Sequence, residues 1–177
     1  MKKLAVLMMI PVLAMFMVPA LASADDQGYG IKGLYAVTGF STCLPAGSSG
    51  IFEADYTFNN DGTGSVTNGF IRNITPAGPV LATYTADFMY EVTHEGRIEF
   101  KYPWGGNTVV RLDEQGNELV RITWNVGPGH GVISPDGKTI TITCGPPVVL
   151  KIVDSTNPAL IGNTTSCVTT AVGIRLK

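Results

Sequence analysis

The sequence predicts an all-β protein, an antiparallel up-and-down meander of eight to ten strands closed into a barrel, with a two-sheet β-sandwich as the alternative. Three observations carry this. Apolar and polar residues alternate at period two along most of the chain, which is the signature of half-buried strands. Only 15% of residues are charged while glycine numbers 21, and Thr and Val recur throughout, a balance that favours strands and tight turns. No amphipathic stretch of useful helical length follows residue 24.

The chain opens with Lys2 and Lys3, an apolar run over residues 4–17, a Pro19 break and the small-residue end Ala22-Ser23-Ala24. This is the pattern of a cleaved secretory signal peptide over residues 1–24. The apolar run is shorter than the roughly 20 residues a membrane-spanning helix needs, so no stable membrane anchor is expected after cleavage. The short Lys-Lys start is of bacterial type, which makes the periplasm or the cell exterior the expected address. Residues 25–177 then form a single barrel domain. Without Lys2 and Lys3 the chain carries ten basic against fourteen acidic residues, which argues against nucleic acid as a partner.

The first strand is expected over residues 31–42, with Tyr35 and Val37 on one face and Leu34, Ala36 and Phe40 on the other. After a loop over residues 45–50, Phe52, Ala54, Tyr56 and Phe58 alternate with Glu53, Asp55, Thr57 and Asn59. Asn60-Asp61-Gly62 marks a hairpin turn, and residues 64–71 return. Pro76 and Pro79 are expected to break the sheet.

Tyr84, Ala86, Phe88, Tyr90 and Val92 form the next apolar face. A turn at His94-Glu95-Gly96 leads to residues 97–102, where Ile98, Phe100 and Tyr102 alternate with Glu99 and Lys101. Beyond the Pro103-Trp104-Gly105-Gly106 loop come strands over residues 108–113 and 118–125. A glycine-rich loop over residues 127–131 precedes the short strand Val132-Ile133, and Pro135-Asp136-Gly137 turns it into residues 139–144. Residues 148–153 form another strand, residues 154–166 a polar loop, and residues 167–176 the last strand. Sequential hairpins without long crossovers favour the barrel over the sandwich.

Closure makes the first and last strands neighbours, and this brings Cys43 to Cys167. The third cysteine, Cys144, shares a face with Ile140 and Ile142 and reads as a small buried hydrophobe. In an exported chain a Cys43–Cys167 disulfide is therefore expected. Closing so long a loop contributes about 4–5 kcal/mol on the chain-entropy account.

Residues 33–39, Gly-Leu-Tyr-Ala-Val-Thr-Gly, followed by Cys43-Leu44, the distant hairpin over residues 133–139 and a cysteine-bearing last strand, resemble a group of exported bacterial proteins without an assigned activity. More loosely the chain resembles lipocalin-type barrels. Gly33 and Arg175 match the glycine and the strand-crossing arginine of that family, and Tyr35 stands where it has tryptophan. The lipocalin-like resemblance implies fold class and names no ligand.

Chemistry-bearing residues are sparse. His130, in its Gly/Pro loop, is the one candidate base, but no nucleophile elbow or paired nucleophile accompanies it. No catalytic residue is assigned. His94 sits in a turn. Asn59, Asp61 and Thr63 place oxygens at alternate positions, yet the glycine and glutamate of a calcium loop are missing from the required offsets. No metal site and no cofactor are expected. The sequons at Asn73 and Asn163 carry little meaning in a bacterial exported chain.

The aromatics are the functional lead. Tyr56, Phe58, Tyr84, Phe88, Tyr90 and Phe100 lie on apolar faces of consecutive strands and should converge, either as a filled core or as the wall of a small-ligand pocket. Tyr102 and Trp104 set aromatics on a loop suited to contact with a protein partner. Three functions follow: a binding barrel for a small apolar or amphipathic ligand, an interaction protein with a filled core acting through the Tyr102–Gly106 loop and its strand edges, and an enzyme using His130. The carboxylates Asp55, Asp87, Glu91 and Glu99 fall on the face opposite the aromatics, so binding is preferred. An Asp87 facing inward beside Arg111 or Arg121 would call for that preference to be revised.

Overall fold

In the computed structural model the described residues are 30–143 and 148–177. The expected signal peptide and Cys144 lie outside them. Eleven strands are present: β1 (Gly33–Leu44), β2 (Ser48–Phe58), β3 (Thr63–Thr75), β4 (Gly78–Val92), β5 (Arg97–Lys101), β6 (Asn107–Leu112), β7 (Glu118–Val126), β8 (Gly129–Ile133), β9 (Thr139–Thr143), β10 (Val148–Ser155) and β11 (Thr164–Arg175). One short 3₁₀ turn, Pro158–Leu160, lies in the connection expected to be a plain loop.

Eleven segments exceed the eight to ten expected, and the pairing explains why. β4 pairs with β5 through residues 89–92 and with β6 through residues 81–86. β11 pairs with β9 through residues 170–174 and with β10 through residues 164–167. β5 and β6 are thus two halves of one stave of the wall, as are β7 with β8 and β9 with β10. Counted as staves, the sheet is an eight-membered, wholly antiparallel ring in sequence order, closed by β1 against β11. A sandwich is excluded by that closure.

The interruptions follow from the sequence. Pro103 separates β5 from β6 and Pro128 separates β7 from β8, while Pro146 and Pro147 stand in the sequence between β9 and β10. Proline has no N–H to give a ladder, so a central stave breaks where it occurs. Pro79 does not break the sheet as expected. It lies at the start of β4, a position where a missing donor is tolerated.

Other boundaries shift for similar reasons. β8 begins at Gly129, so residues 129–131 are strand rather than loop. β11 begins at Thr164, before the expected residue 167. In β3 a bulge between Val66 and Gly69 changes which parity faces inward. Asn68 takes φ 51° there and its amide donates to Asp55 Oδ2 at 2.8 Å, a local bond suited to asparagine in the left-handed region.

The inward faces form two storeys. In one, Tyr35, Phe58, Phe88, Phe100, Ile98, Ile133 and Ile140 are almost wholly buried, and their rings meet mainly edge to face, as Phe88 and Phe100 do at 5.6 Å. Such contacts add to area burial. This end is sealed by Ile31, which is buried, and by two tyrosine hydroxyls. Tyr35 donates to Gly137 O, and the Tyr90 hydroxyl lies within hydrogen-bond reach of both Asn59 O and Ile31 O. The other storey is hollow.

The outer face is not uniformly polar. Phe40, Ile51, Val168, Val172 and Ile174 are exposed along β1, β2 and β11, where the alternation predicts a wetter surface. The carboxylates behave as read: Asp87 is exposed on the outer face of β4, and Arg121 pairs with Glu118 at 2.6 Å.

Candidate ligand cavity

Inward-facing residues in the storey built by β6, β7, β10 and the adjoining ends of β1 to β4 and β11 are only half-buried, among them Phe52, Tyr84, Val109, Trp124 and Leu150. They line a cavity of about 590 Å³. That volume lies within the roughly 300–1,000 Å³ of pockets that take small molecules.

The wall is mostly apolar. At one level, β4 places Tyr84 beside Val109 of β6, which in turn faces Ile122 of β7. Trp124 and Leu150 continue the apolar lining from β7 and β10. Toward the β1–β2 and β3–β4 turns the lining becomes more polar, with Ser41, Ser48, Asn73 and Thr75. The Cys43–Cys167 disulfide, with Cα atoms 4.0 Å apart, forms part of the same wall. The Thr165 hydroxyl donates to Leu44 O at 3.0 Å beside it.

Tyr56, Tyr84 and Tyr102 bring phenols to the end of the cavity that meets the packed storey. The Tyr84 hydroxyl is buried without a hydrogen bond of acceptable geometry, as is the Asn107 side-chain amide. Burial pushes the Tyr84 phenol well above the ordinary tyrosine range, and its neighbours Tyr56 and Tyr102 push it further. It therefore stays neutral and keeps an O–H to offer.

The six expected ligand-binding aromatics divide. Tyr56 and Tyr84 line the cavity, whereas Phe58, Phe88, Tyr90 and Phe100 belong to the packed storey or its seal. Tyr102 and Trp104 part as well: Tyr102 turns into the cavity and Trp104 is 72% exposed. Sequence reasoning missed Phe52, Ile122, Trp124 and Arg111 as lining residues. Phe52 shares the apolar face of its strand with Ala54, Tyr56 and Phe58, but nothing in the alternation says which storey a residue occupies.

The two histidines lie elsewhere. His130 is exposed on β8, opposite Glu99 and Thr143, and His94 lies in an open turn 4.0 Å from Glu95. Asp61 accepts from the Thr63 backbone and hydroxyl, so the turn satisfies its own carboxylate. Among the described residues no group of three or more His, Cys, Asp or Glu side chains could hold a metal ion, and no helix is long and apolar enough to cross a membrane.

The fold and cavity define a closed antiparallel β-barrel with a half-filled interior. No protein-family model matches the chain, and no curated protein matches it. Among solved structures the chain is similar to designed barrels. A redesigned β-barrel, mFAP1, bound to DFHBI is 12% identical with a TM-score of 0.34, over 82% of this chain and 94% of that one. EF1p2_mFAP2b bound to DFHBI is 11% identical with a TM-score of 0.37, over 82% and 93%. A de novo designed fluorescence-activating β-barrel is 12% identical with a TM-score of 0.32, over 85% and 97%.

Proposed function

We propose that this chain is an exported, non-catalytic β-barrel that binds a small apolar or amphipathic molecule inside the wall. One observation carries the reading: the aromatic core fills only one storey and leaves the other as an apolar hollow of about 590 Å³. A protein whose role was purely structural gains nothing from that void, because unfilled volume costs stability. Residues 1–24 supply the export half of the proposal through their charged, apolar and small-residue sequence, and a disulfide suits an oxidising compartment.

Among the described residues none of those lining the cavity is a carboxylate or a histidine, which supports binding over acid–base chemistry. Interaction through the Trp104 loop is a second reading, favoured by the exposure of that indole. Strand edges are a poor route for it, since β1 and β11 close the ring.

The experiment is titration with the neutral apolar fluorophore N-phenyl-1-naphthylamine, following its emission and that of Trp124 in a Trp104→Phe background. Saturable one-to-one binding, lost in Ala82→Trp, is expected, because Ala82 is a small lining residue that a bulky ring would replace with filled volume. Non-saturating emission that Ala82→Trp leaves unchanged would overturn the reading.

A further inference from the structure

Among the described residues, Arg111 is the only charged one that lines the cavity. It occupies the inward face of β6 with Val109, opposite Ala82 of β4 and Val120 of β7. None of these neighbours can answer a positive charge, and among the described residues Arg111 makes no ion pair and no side-chain hydrogen bond. Arg121 of β7 behaves differently: it points outward and is paired with Glu118.

The placement of this cation is also informative. Arg111 sits near the β6 end next to the Asp113 turn, and Tyr84 lies one pair deeper, against Val109. Four residues of strand separate Arg111 from Asn107, about 13 Å at the rise of an extended chain. Below Arg111 the wall is Val109, Ile122 and Trp124. A permanent cation at the outer level, an apolar wall beneath it and no anion among the described lining residues form an amphipathic site of defined polarity.

Building on the cavity reading above, we propose that the ligand is an amphipathic anion, a monocarboxylate or similar acid, whose apolar body enters the hollow while its anionic head meets Arg111. Water reaches this level, since Arg111 itself is exposed, so the head keeps part of its hydration and the ligand's charge is never fully desolvated. That avoids the large cost of burying an ion and makes the arginine a selector of head-group charge rather than the main source of affinity.

The test compares decanoate with 1-decanol, two molecules of one chain length that differ in head group, each below its aggregation concentration at pH 8. Displacement of N-phenyl-1-naphthylamine gives the affinities, in the natural chain and in Arg111→Gln, with unfolding midpoints confirming that the variant is folded. Decanoate should bind about three- to tenfold more tightly than decanol, as expected of a partly solvated charge-assisted contact. Arg111→Gln should erase that preference and leave decanol unchanged, and Arg111→Lys should restore part of it. Equal affinities in the natural chain, or an equal loss for both molecules in Arg111→Gln, would overturn the anion assignment while leaving the cavity reading intact. Failure of both molecules to bind, together with failure of the naphthylamine, would remove the cavity reading and this inference with it.

Discussion

Cys43 and Cys167 are register partners across β1 and β11, bonded to one another with Cα atoms 4.0 Å apart. Their bond spans 124 residues of sequence and fastens the seam at which the first stave meets the last. Ten register pairs hold that seam independently, so the covalent link constrains the unfolded chain more than it shapes the folded one.

Replacing both cysteines by alanine should therefore leave the barrel folded but destabilise it by about 4–5 kcal/mol, the loop-closure value for a bridge of this length. Urea unfolding of the oxidised, reduced and Cys43→Ala/Cys167→Ala proteins checks this. Coincident curves for the oxidised and reduced forms would show that the bridge does not form or does not constrain the chain.

Phe88 and Phe52 point inward from neighbouring parts of the wall but into different storeys. Phe88 is 2% exposed and meets the rings of Tyr56, Phe58, Tyr90, Phe100 and Tyr102. Phe88→Ala should cost about 3–5 kcal/mol. Phe52, half-buried on the cavity, contacts Tyr84 at 6.2 Å, and Phe52→Ala should cost nearer to about 1 kcal/mol while altering naphthylamine affinity. Equal losses of stability would mean that the hollow is filled in solution.

Gly64 on β3 lies directly opposite Phe88 on β4, and the phenyl ring rests over it. An added Cβ would stand 2.3 Å from the ring and 2.6 Å from the Thr57 carbonyl oxygen. Because backbone closes one side, Gly64→Ala should destabilise by about 1–3 kcal/mol, measurable as a lower urea midpoint at unchanged slope. A neutral substitution would show that the ring moves aside freely.

Three turn aspartates give the stability a pH dependence of known sign. Asp61, Asp113 and Asp136 are each held below the usual carboxylate range, first by a side-chain donor, Thr63, Asn117 and Ser134 respectively, and then by backbone N–H groups. A lowered folded value means that their contribution is complete above the unfolded value of about 3.9 and is lost as pH falls through the folded value. Unfolding midpoints should therefore be flat near neutrality and drop below about pH 4. The Asp61→Asn/Asp113→Asn/Asp136→Asn protein should show a shallower drop, and an unchanged acid profile would place the effect elsewhere.

The alternation at period two made the fold class, the shared face of Tyr35 and Val37, and the placement of Asp87 opposite the aromatics readable directly, because a strand offers only two faces. Which face of the first strand turns inward was settled by the structure, where Tyr35 and Val37 are buried and Phe40 is exposed. Consecutive hairpins made closure readable, and closure made the Cys43–Cys167 pairing readable. Local chemistry also marked the Asp61 and Asp136 turns.

What only the tertiary structure decided is depth along the barrel axis. Tyr84 and Phe88 stand on the same face of the same strand, four residues apart, and nothing local separates them. One lines a cavity and the other fills a core because the opposing staves differ: β5, β8 and β9 send Phe100, Ile98, Ile133 and Ile140 inward around Phe88. β6, β7 and β10 instead leave space before Tyr84. The same limit hid Arg111, whose inward position depends on its register against Ala82. Face is a property of one strand, whereas filled or empty space is set by eight staves at once, and that sum of distant side-chain volumes is carried by no single stretch of sequence.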